Sequence, residues 1–208
     1  MEPLDAKDVT ALILAGGKGR RIEGQDKGLI ELTGKPLIEY ILEAISPQAS
    51  GILINANRNT ERYGRYGYPV IPDALSDFQG PLAGIATGME HAFTPYIITL
   101  PCDGPFVPAD LVSRLARALI RDNADMAVAH DGVRMQPVYA LLPVYLLNSL
   151  KAFLASGERK IDRWYALHHY TLADFSDHPG AFLNVNTPED LGRIQAMLAD
   201  KESVSGQA

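Results

Sequence analysis

The chain has 208 residues, 47% of them apolar and 21% charged, enough to bury a full core without disulfide or metal staples. Its one cysteine, Cys102, cannot form an internal disulfide, and it makes no zinc-type spacing with the five histidines, which excludes a disulfide scaffold and a structural zinc module. A net charge of −6, from 19 Lys and Arg against 25 Asp and Glu, argues against a nucleic-acid-binding surface. Met1–Thr10 lacks the basic-then-apolar pattern of a secretory leader, and no apolar run nears membrane-spanning length. A cytoplasmic, soluble globular protein with no membrane partner is expected.

In chain order, the apolar run Val9–Leu14 reads as a buried strand feeding the loop that opens at Gly16-Gly17. Pro36 marks a helix start, and Leu37, Ile38, Ile41, Leu42 and Ile45 form an apolar stripe at helical spacing, closed by Pro47. Ile52–Ile54 is a strand, Asn59–Tyr66 a polar helix, Val70-Ile71 a strand, and Gly80–Ala92 a helix of small residues. Tyr96–Leu100 is a strand stopped by Pro101, and Pro108–Arg121 an amphipathic helix. Ala124–Ala129 and Pro137–Leu142 are two strands around the turn signal Asp131-Gly132. Helices over Val144–Ala155 and Lys160–His168 and a strand over Thr171–Phe175 follow, and Thr187-Pro188-Glu189-Asp190 opens a capped helix ending near Asp200. Lys201–Ala208 is a polar, flexible tail.

Alternating strands and helices imply an α/β fold: a doubly wound, mostly parallel, Rossmann-like sheet in three α/β/α layers, with ligands in the crevice beyond the carboxyl ends of the strands. Residues 1–200 are expected to form one domain, its nucleotide half at about 9–122 and its acceptor half at about 123–200.

Positive charge is concentrated in the loop after the first strand. Residues 18–27 hold Lys18, Arg20, Arg21 and Lys27, where an even spread would give about one basic residue in ten. Glycines Gly16, Gly17 and Gly19 let backbone N–H groups approach a polyphosphate and the cations neutralise it, so the segment reads as an anion cradle. Ile22 breaks the dinucleotide fingerprint, and Pro36 after Gly34-Lys35 breaks a Walker loop. Asp103, at the end of the Tyr96–Leu100 strand, either carries a divalent cation for a triphosphate or caps the turn before Pro105. Asn55 and Asp73 also sit at strand ends, where turn chemistry explains each one singly. Cys102 reads as a small buried residue rather than a nucleophile, and the histidines show no triad or metal spacing.

The run LAGGKGRRIEGQDKGLIELTGKPLI from Leu14, with NANR at 55–58, GPLAGI at 80–85, PCDGPFVP at 101–108 and NVNTPEDL at 184–191, closely resembles the molybdenum cofactor guanylyltransferases, the MobA family. The likeness extends from Val9 to about Leu198. It implies a glycosyltransferase-A-like nucleotidyltransferase fold. The family pattern implies that Leu14, Ala15, Gly16, Lys27, Asn55, Asp73 and Asp103 meet GTP, with Asp103 also on Mg²⁺. Gly17 and Lys18 belong to the same phosphate loop, and Gly80 and Gly84 fall where the family brings backbone near the nucleotide. Asn184 and Asn186, and more loosely Gln136 and Arg159, match positions on the pterin side. Two positions depart from the pattern: Glu23 stands where many members have glycine, and Gly104 where many have a larger residue.

The reaction so implied transfers GMP from GTP to the terminal phosphate of molybdopterin or the molybdenum cofactor, releasing pyrophosphate. The pterin phosphate is largely a dianion at pH 7, its second pKa being about 6, so no general base is needed. Asp103, Lys27 and Arg21 would be the catalytic residues, with Lys18 and Arg20 adding charge. Related enzymes using CTP or a sugar phosphate acceptor, and a GTP-binding regulator without turnover, are the alternatives. Other cofactor-biosynthesis proteins and molybdoenzyme chaperones are the expected protein partners.

Overall fold

Val9–Leu14 carries almost no polar side chain and forms a central strand, β1, in the computed structural model, which describes residues 4–15, 26–74 and 80–205. A strand with parallel neighbours on both sides has no solvated face, which is why it reads as an unbroken apolar run. Its neighbours are β4 (Gly51–Asn55) and β6 (Tyr96–Pro101). Between β1 and β4 lie a small hairpin of β2 (Glu31–Leu32) and β3 (Lys35–Pro36), then helix α1 (Leu37–Ile45). Helix α2 (Thr60–Gly64), strand β5 (Val70–Ile71) and helix α3 (Pro81–His91) lead to β6. The second half adds α4 (Leu111–Arg121), β7 (Met126–His130), β8 (Met135–Pro143), α5 (Leu147–Ala155), α6 (Ile161–Tyr165), β9 (Tyr170–Asp174) and α7 (Pro188–Ser205).

Seven strands form one sheet in the order β5-β4-β1-β6-β8-β7-β9, and β8 alone runs against the others. The mostly parallel, three-layer α/β/α architecture expected from the sequence is therefore present, and β7 to β9 extend the same sheet that β1, β4, β5 and β6 begin. Alternation along β1 sorts its side chains between the two helical layers. Val9, Ala11 and Ile13 pack with Ile38, Ile41 and Ile45 of α1 and Leu111, Leu115 and Leu119 of α4. Leu12 faces the other way, toward Leu82, Ile85 and Met89 of α3 and Leu150, Leu154 and Trp164 beyond. A third, smaller cluster joins Ile30, Leu32 and Leu37 to Val185 and Ile194. It docks the last helix on the β2–β3 hairpin.

Several boundaries differ from the sequence reading. The hairpin β2–β3 is an addition, turned by Thr33 and Gly34, both at positive φ. Helix α4 begins at Leu111 rather than Pro108. The buried Gln48 explains the start, since its Oε1 accepts the Val112 N–H at 3.1 Å while its Nε2 donates to the Pro108 carbonyl at 2.9 Å. A side chain distant in sequence satisfies the helix end. Helix α6 covers only Ile161–Tyr165 of the expected Lys160–His168. Helix α7 runs to Ser205, past the expected end near Asp200, through residues that include neither proline nor glycine. Among the described residues, no helix is long and apolar enough to cross a membrane.

Candidate nucleotidyl-transfer site

Parallel register brings the carboxyl ends of β1, β4, β5 and β6 to one rim. Two bonds stitch it together: the Ala15 N–H donates to the Asn55 carbonyl at 2.8 Å, and the Cys102 N–H to the Leu14 carbonyl at 3.1 Å. Leu14, Ala15, Asn55 and Asp103 thereby become neighbours across three strands. Gly16, Gly17, Lys18, Arg20, Arg21 and Glu23 lie outside the described residues.

On the β4–β5 side, Asn55 Nδ2 donates to Asp73 Oδ1 at 2.9 Å and Asn57 Nδ2 to Asp73 Oδ2 at 2.7 Å, while the Asp73 N–H returns to Asn57 Oδ1 at 2.7 Å. Both carboxylate oxygens are engaged, so Asp73 is a fixed acceptor edge rather than a mobile turn residue. Asn57 belongs to this unit although the sequence did not single it out. The Asn-Ala-Asn repeat two residues apart on a strand exit was its signal. Gly84 of α3 faces the same group: a Cβ there would lie 2.3 Å from Asn55 Oδ1 and 2.9 Å from Leu14 Cδ2. Gly80 occupies the N-cap of α3.

On the β6 side, Lys27 opens a short 3₁₀ turn, Lys27–Leu29, and its Nζ donates to Asp103 Oδ2 at 2.7 Å and to Asn186 Oδ1 at 2.6 Å. The ion pair is partly sheltered, the two side chains being 23% and 12% exposed. A cation so placed is strengthened by the reduced solvent around it. The Val185 N–H donates to the Asp103 carbonyl at 2.8 Å, which ties Asn184–Asn186 to the same spot. Asp26, a residue the sequence reading did not pick out, sits just before Lys27. It accepts from Tyr63 Oη at 2.5 Å and from Asn59 Nδ2 at 3.1 Å. Burial, reinforced by Cys102 and by Asp26 itself, pushes the Tyr63 phenol up, so Tyr63 remains a donor to Asp26.

Cys102 is buried, and burial, with Asp103 and Asp26 nearby, pushes its thiol well above the ordinary value. That matches a packing residue and not a nucleophile. Among the described residues no cluster of three or more His, Cys, Asp or Glu is arranged to hold a metal. The metal candidate therefore rests on Asp103, a single carboxylate.

The remaining acceptor candidates, Gln136 and Arg159, are bonded to other parts of the fold. Gln136, near the start of β8, donates through Nε2 to Asp131 Oδ2 at 2.6 Å, bracing the β7–β8 turn. Burial opposes charge on Asp131, but the N–H groups of Arg134 and Val133 and the Gln136 amide hold its carboxyl below the ordinary value. Arg159 donates to the Leu154 carbonyl at 2.8 Å and lines a cavity of about 270 Å³ together with Ala74, Ala83, Thr87 and Lys151. That cavity lies on the α3–α5 side and touches the site through Ala74, which follows Asp73 in the chain.

The MobA-like NTP transferase domain matches residues 11–172. A molybdenum cofactor guanylyltransferase of Shewanella pealeana is 51% identical over 198 residues, covering 95% of this chain and 99% of that protein, and one of Shewanella halifaxensis is 51% identical over 94% of this chain and 98% of that protein. Among solved structures, molybdopterin-guanine dinucleotide biosynthesis protein A from Archaeoglobus fulgidus superposes with a TM-score of 0.75 at 24% identity, covering 92% of this chain and 99% of that one. CMP:2-keto-3-deoxy-manno-octonic acid synthetase complexed with CTP superposes at 0.71 with 14% identity, over 94% of this chain and 100% of that one, which shows a shared fold. By the domain and by its relatives over nearly the whole chain, the protein belongs to the MobA-like NTP transferases, among the molybdenum cofactor guanylyltransferases.

Proposed function

We propose that this nucleotidyltransferase moves GMP from GTP to the terminal phosphate of molybdopterin, giving the guanine dinucleotide form and pyrophosphate. The observation that carries the reading is Lys27, whose one ammonium group bridges Asp103 at the strand end and Asn186 before the last helix. It sits at the junction where a triphosphate from the first half of the chain and an acceptor from the second half would meet.

In the reaction a phosphate oxygen of the pterin attacks the α-phosphorus of GTP as the bond to the bridging oxygen of the β-phosphate breaks. The attacking group is a dianion near neutral pH, so alignment and charge neutralisation suffice. Lys27 supplies a fixed cation at the phosphates, and the basic residues Lys18, Arg20 and Arg21 of the glycine loop add to it. The Asn55–Asn57–Asp73 unit is braced by its own bonds and offers a rigid polar edge to the nucleoside. Asn184 and Asn186 face the acceptor, with Gln136 and Arg159 as more distant contacts of the larger pterin.

Lys27 takes one carboxylate oxygen of Asp103 at 2.7 Å, and the other would hold magnesium, an ion that keeps several waters and takes one or two carboxylates beside substrate phosphates. When bound, the ion supplies neutralising charge on the α-phosphate and on departing pyrophosphate. The cytoplasm as the site of reaction, and other cofactor-biosynthesis proteins and molybdoenzyme chaperones as partners, belong to the same reading. Pyrophosphate release measured with molybdopterin and each of GTP, CTP, ATP and UTP tests it. Release with GTP alone is expected; equal turnover with CTP, or none with any nucleotide, overturns it.

A further inference from the structure

Glycine at 104 is required by space and not by backbone shape, since its φ lies outside the left-handed region. A Cβ built there would lie 2.0 Å from Tyr139 Oη, 3.3 Å from Tyr139 Cζ and 3.0 Å from Asn184 Oδ1. No side chain fits against the tyrosine hydroxyl.

The same two oxygens are chemically unfinished. Tyr139 Oη and Asn184 Oδ1 are both shut off from solvent, and among the described residues neither has a hydrogen-bond partner. Buried polar groups left unpaired are costly and rare, so each calls for an explanation. Both point at one spot beside Gly104, one residue from Asp103. The Tyr139 ring is held edge-on against Phe182, centroids 4.7 Å apart at 62°, and Phe182 is itself held edge-on by Phe175. The position of the hydroxyl oxygen is therefore fixed. Asn184 sits beside Val185, whose N–H is held by the Asp103 carbonyl at 2.8 Å, so its backbone is anchored next to Asp103. Burial, followed by the charge of Asp103, raises the Tyr139 phenol, so the hydroxyl keeps its proton near neutral pH.

We propose that Tyr139 is a positioning residue for the acceptor: on acceptor binding its hydroxyl donates to Asn184 Oδ1, and that bond turns the Asn184 amide N–H groups toward the pterin substrate. The proposal rests on the reading of Asn184 as an acceptor residue. Without ligand the pair stays open, and binding closes it. Gly104 is the condition that lets the two groups converge.

The test measures steady-state kinetics with GTP and molybdopterin, and thermal stability, for Tyr139→Phe, Asn184→Ala and the double variant. Removal of an orphaned hydroxyl leaves Tm unchanged or raised, so the phenylalanine variant folds. Its KM for molybdopterin is expected to rise about tenfold, the worth of one buried hydrogen bond, with KM for GTP unchanged. The double variant is expected to be no worse than Asn184→Ala alone, because both changes break one chain of contacts. An unchanged molybdopterin KM in Tyr139→Phe, where Asn184→Ala raises it, overturns the proposal and spares the acceptor reading. A parallel loss for both substrates in Tyr139→Phe overturns it as well, since that marks a general structural role. An unchanged molybdopterin KM in Asn184→Ala removes the acceptor reading and the proposal together. A separate pair checks the size match: Gly104→Ala lowers Tm, and adding Tyr139→Phe recovers most of the loss. Absence of that recovery also counts against the arrangement.

Discussion

At the scale of single residues, Lys27 and Asp103 divide the charge of the site between them. Lys27→Ala removes one charge-assisted bond to a carboxylate and one to an amide oxygen, and leaves the Asp103 carboxylate without its paired cation. A charged hydrogen bond of this kind contributes about 1.5–3 kcal/mol, so kcat/KM for GTP should fall roughly 10- to 150-fold. An unchanged kcat/KM removes Lys27 from the site. Asp103→Asn separates two roles that the sequence alone left open. A turn cap needs only an oxygen, which asparagine keeps. A magnesium ligand needs the charge, which asparagine loses. Since the neutralised charge belongs to the transition state, the loss should appear mainly in kcat at saturating magnesium, with an unaltered circular dichroism spectrum.

At the scale of elements, α3 carries Gly84, which the family resemblance placed near the nucleotide, and Gly88, which the sequence marked only as small. Each is tight against a different neighbour. A Cβ on Gly84 would lie 2.3 Å from Asn55 Oδ1, whereas a Cβ on Gly88 would lie 2.3 Å from Leu12 Cδ2. Alanine is the better helix former at both positions, so any loss must come from the contact. Gly84→Ala is expected to raise KM for GTP by displacing Asn55 from the rim. Gly88→Ala is expected to leave KM alone and to lower stability by about 1–3 kcal/mol, the usual cost of overpacking. Kinetics and chemical denaturation on the two variants check the division.

Helix α7 gives the acid dependence a specific origin. Asp190 Oδ2 accepts the N–H groups of Asn186 and Thr187 at 3.1 Å, and the Asp190 N–H donates to Thr187 Oγ1 at 3.1 Å. Thr187 is the cap the sequence suggested, and the structure adds the return bond from Asp190 that makes the capping reciprocal. The Asn186 N–H bond, assisted by Thr187 and opposed by burial, holds the Asp190 carboxyl below its ordinary value. A depressed folded pKa means that the contribution is present above the unfolded value, about 3.9, and is lost as pH falls through the folded one. Asp190→Asn should therefore cost about 0.5–2 kcal/mol near neutral pH and progressively less below pH 4. Tm measured from pH 7 down to pH 3 is the check, and a constant difference across that range contradicts the assignment.

At the scale of the whole molecule, the early and late parts of the chain meet at one ammonium group. Lys27 and Asn186 are 159 residues apart and bonded at 2.6 Å, over a cluster in which Leu32 and Leu37 pack on Val185 and Ile194. The early and late parts of the chain are thus tied together by one side chain and one small apolar cluster. Asn184→Ala is expected to impair use of the pterin alone. Asn186→Ala should impair both substrates, because it frees Lys27 on one side, and calorimetric titration with GTP distinguishes the two variants.

What the sequence determined by itself was whatever depends on neighbours along the chain. The apolar run of β1, the stripe Leu37, Ile38, Ile41, Leu42 and Ile45, the Asp131-Gly132 turn and the Thr187 cap all follow from local periodicity and local hydrogen bonding. Strand ends announced Asn55, Asp73 and Asp103, because a doubly wound sheet collects such ends on one rim. Only the tertiary structure decided which of these groups touch. Asp26 became part of the site through Tyr63 and Asn59, and α4 found its cap in Gln48. Arg159 went to the α3–α5 cavity, and the hydroxyl of Tyr139 came to rest against Gly104. Those contacts are set by strand register and by the crossovers between layers, where residues far apart in sequence compete for the same few ångströms, and no pattern within a single segment encodes the winner.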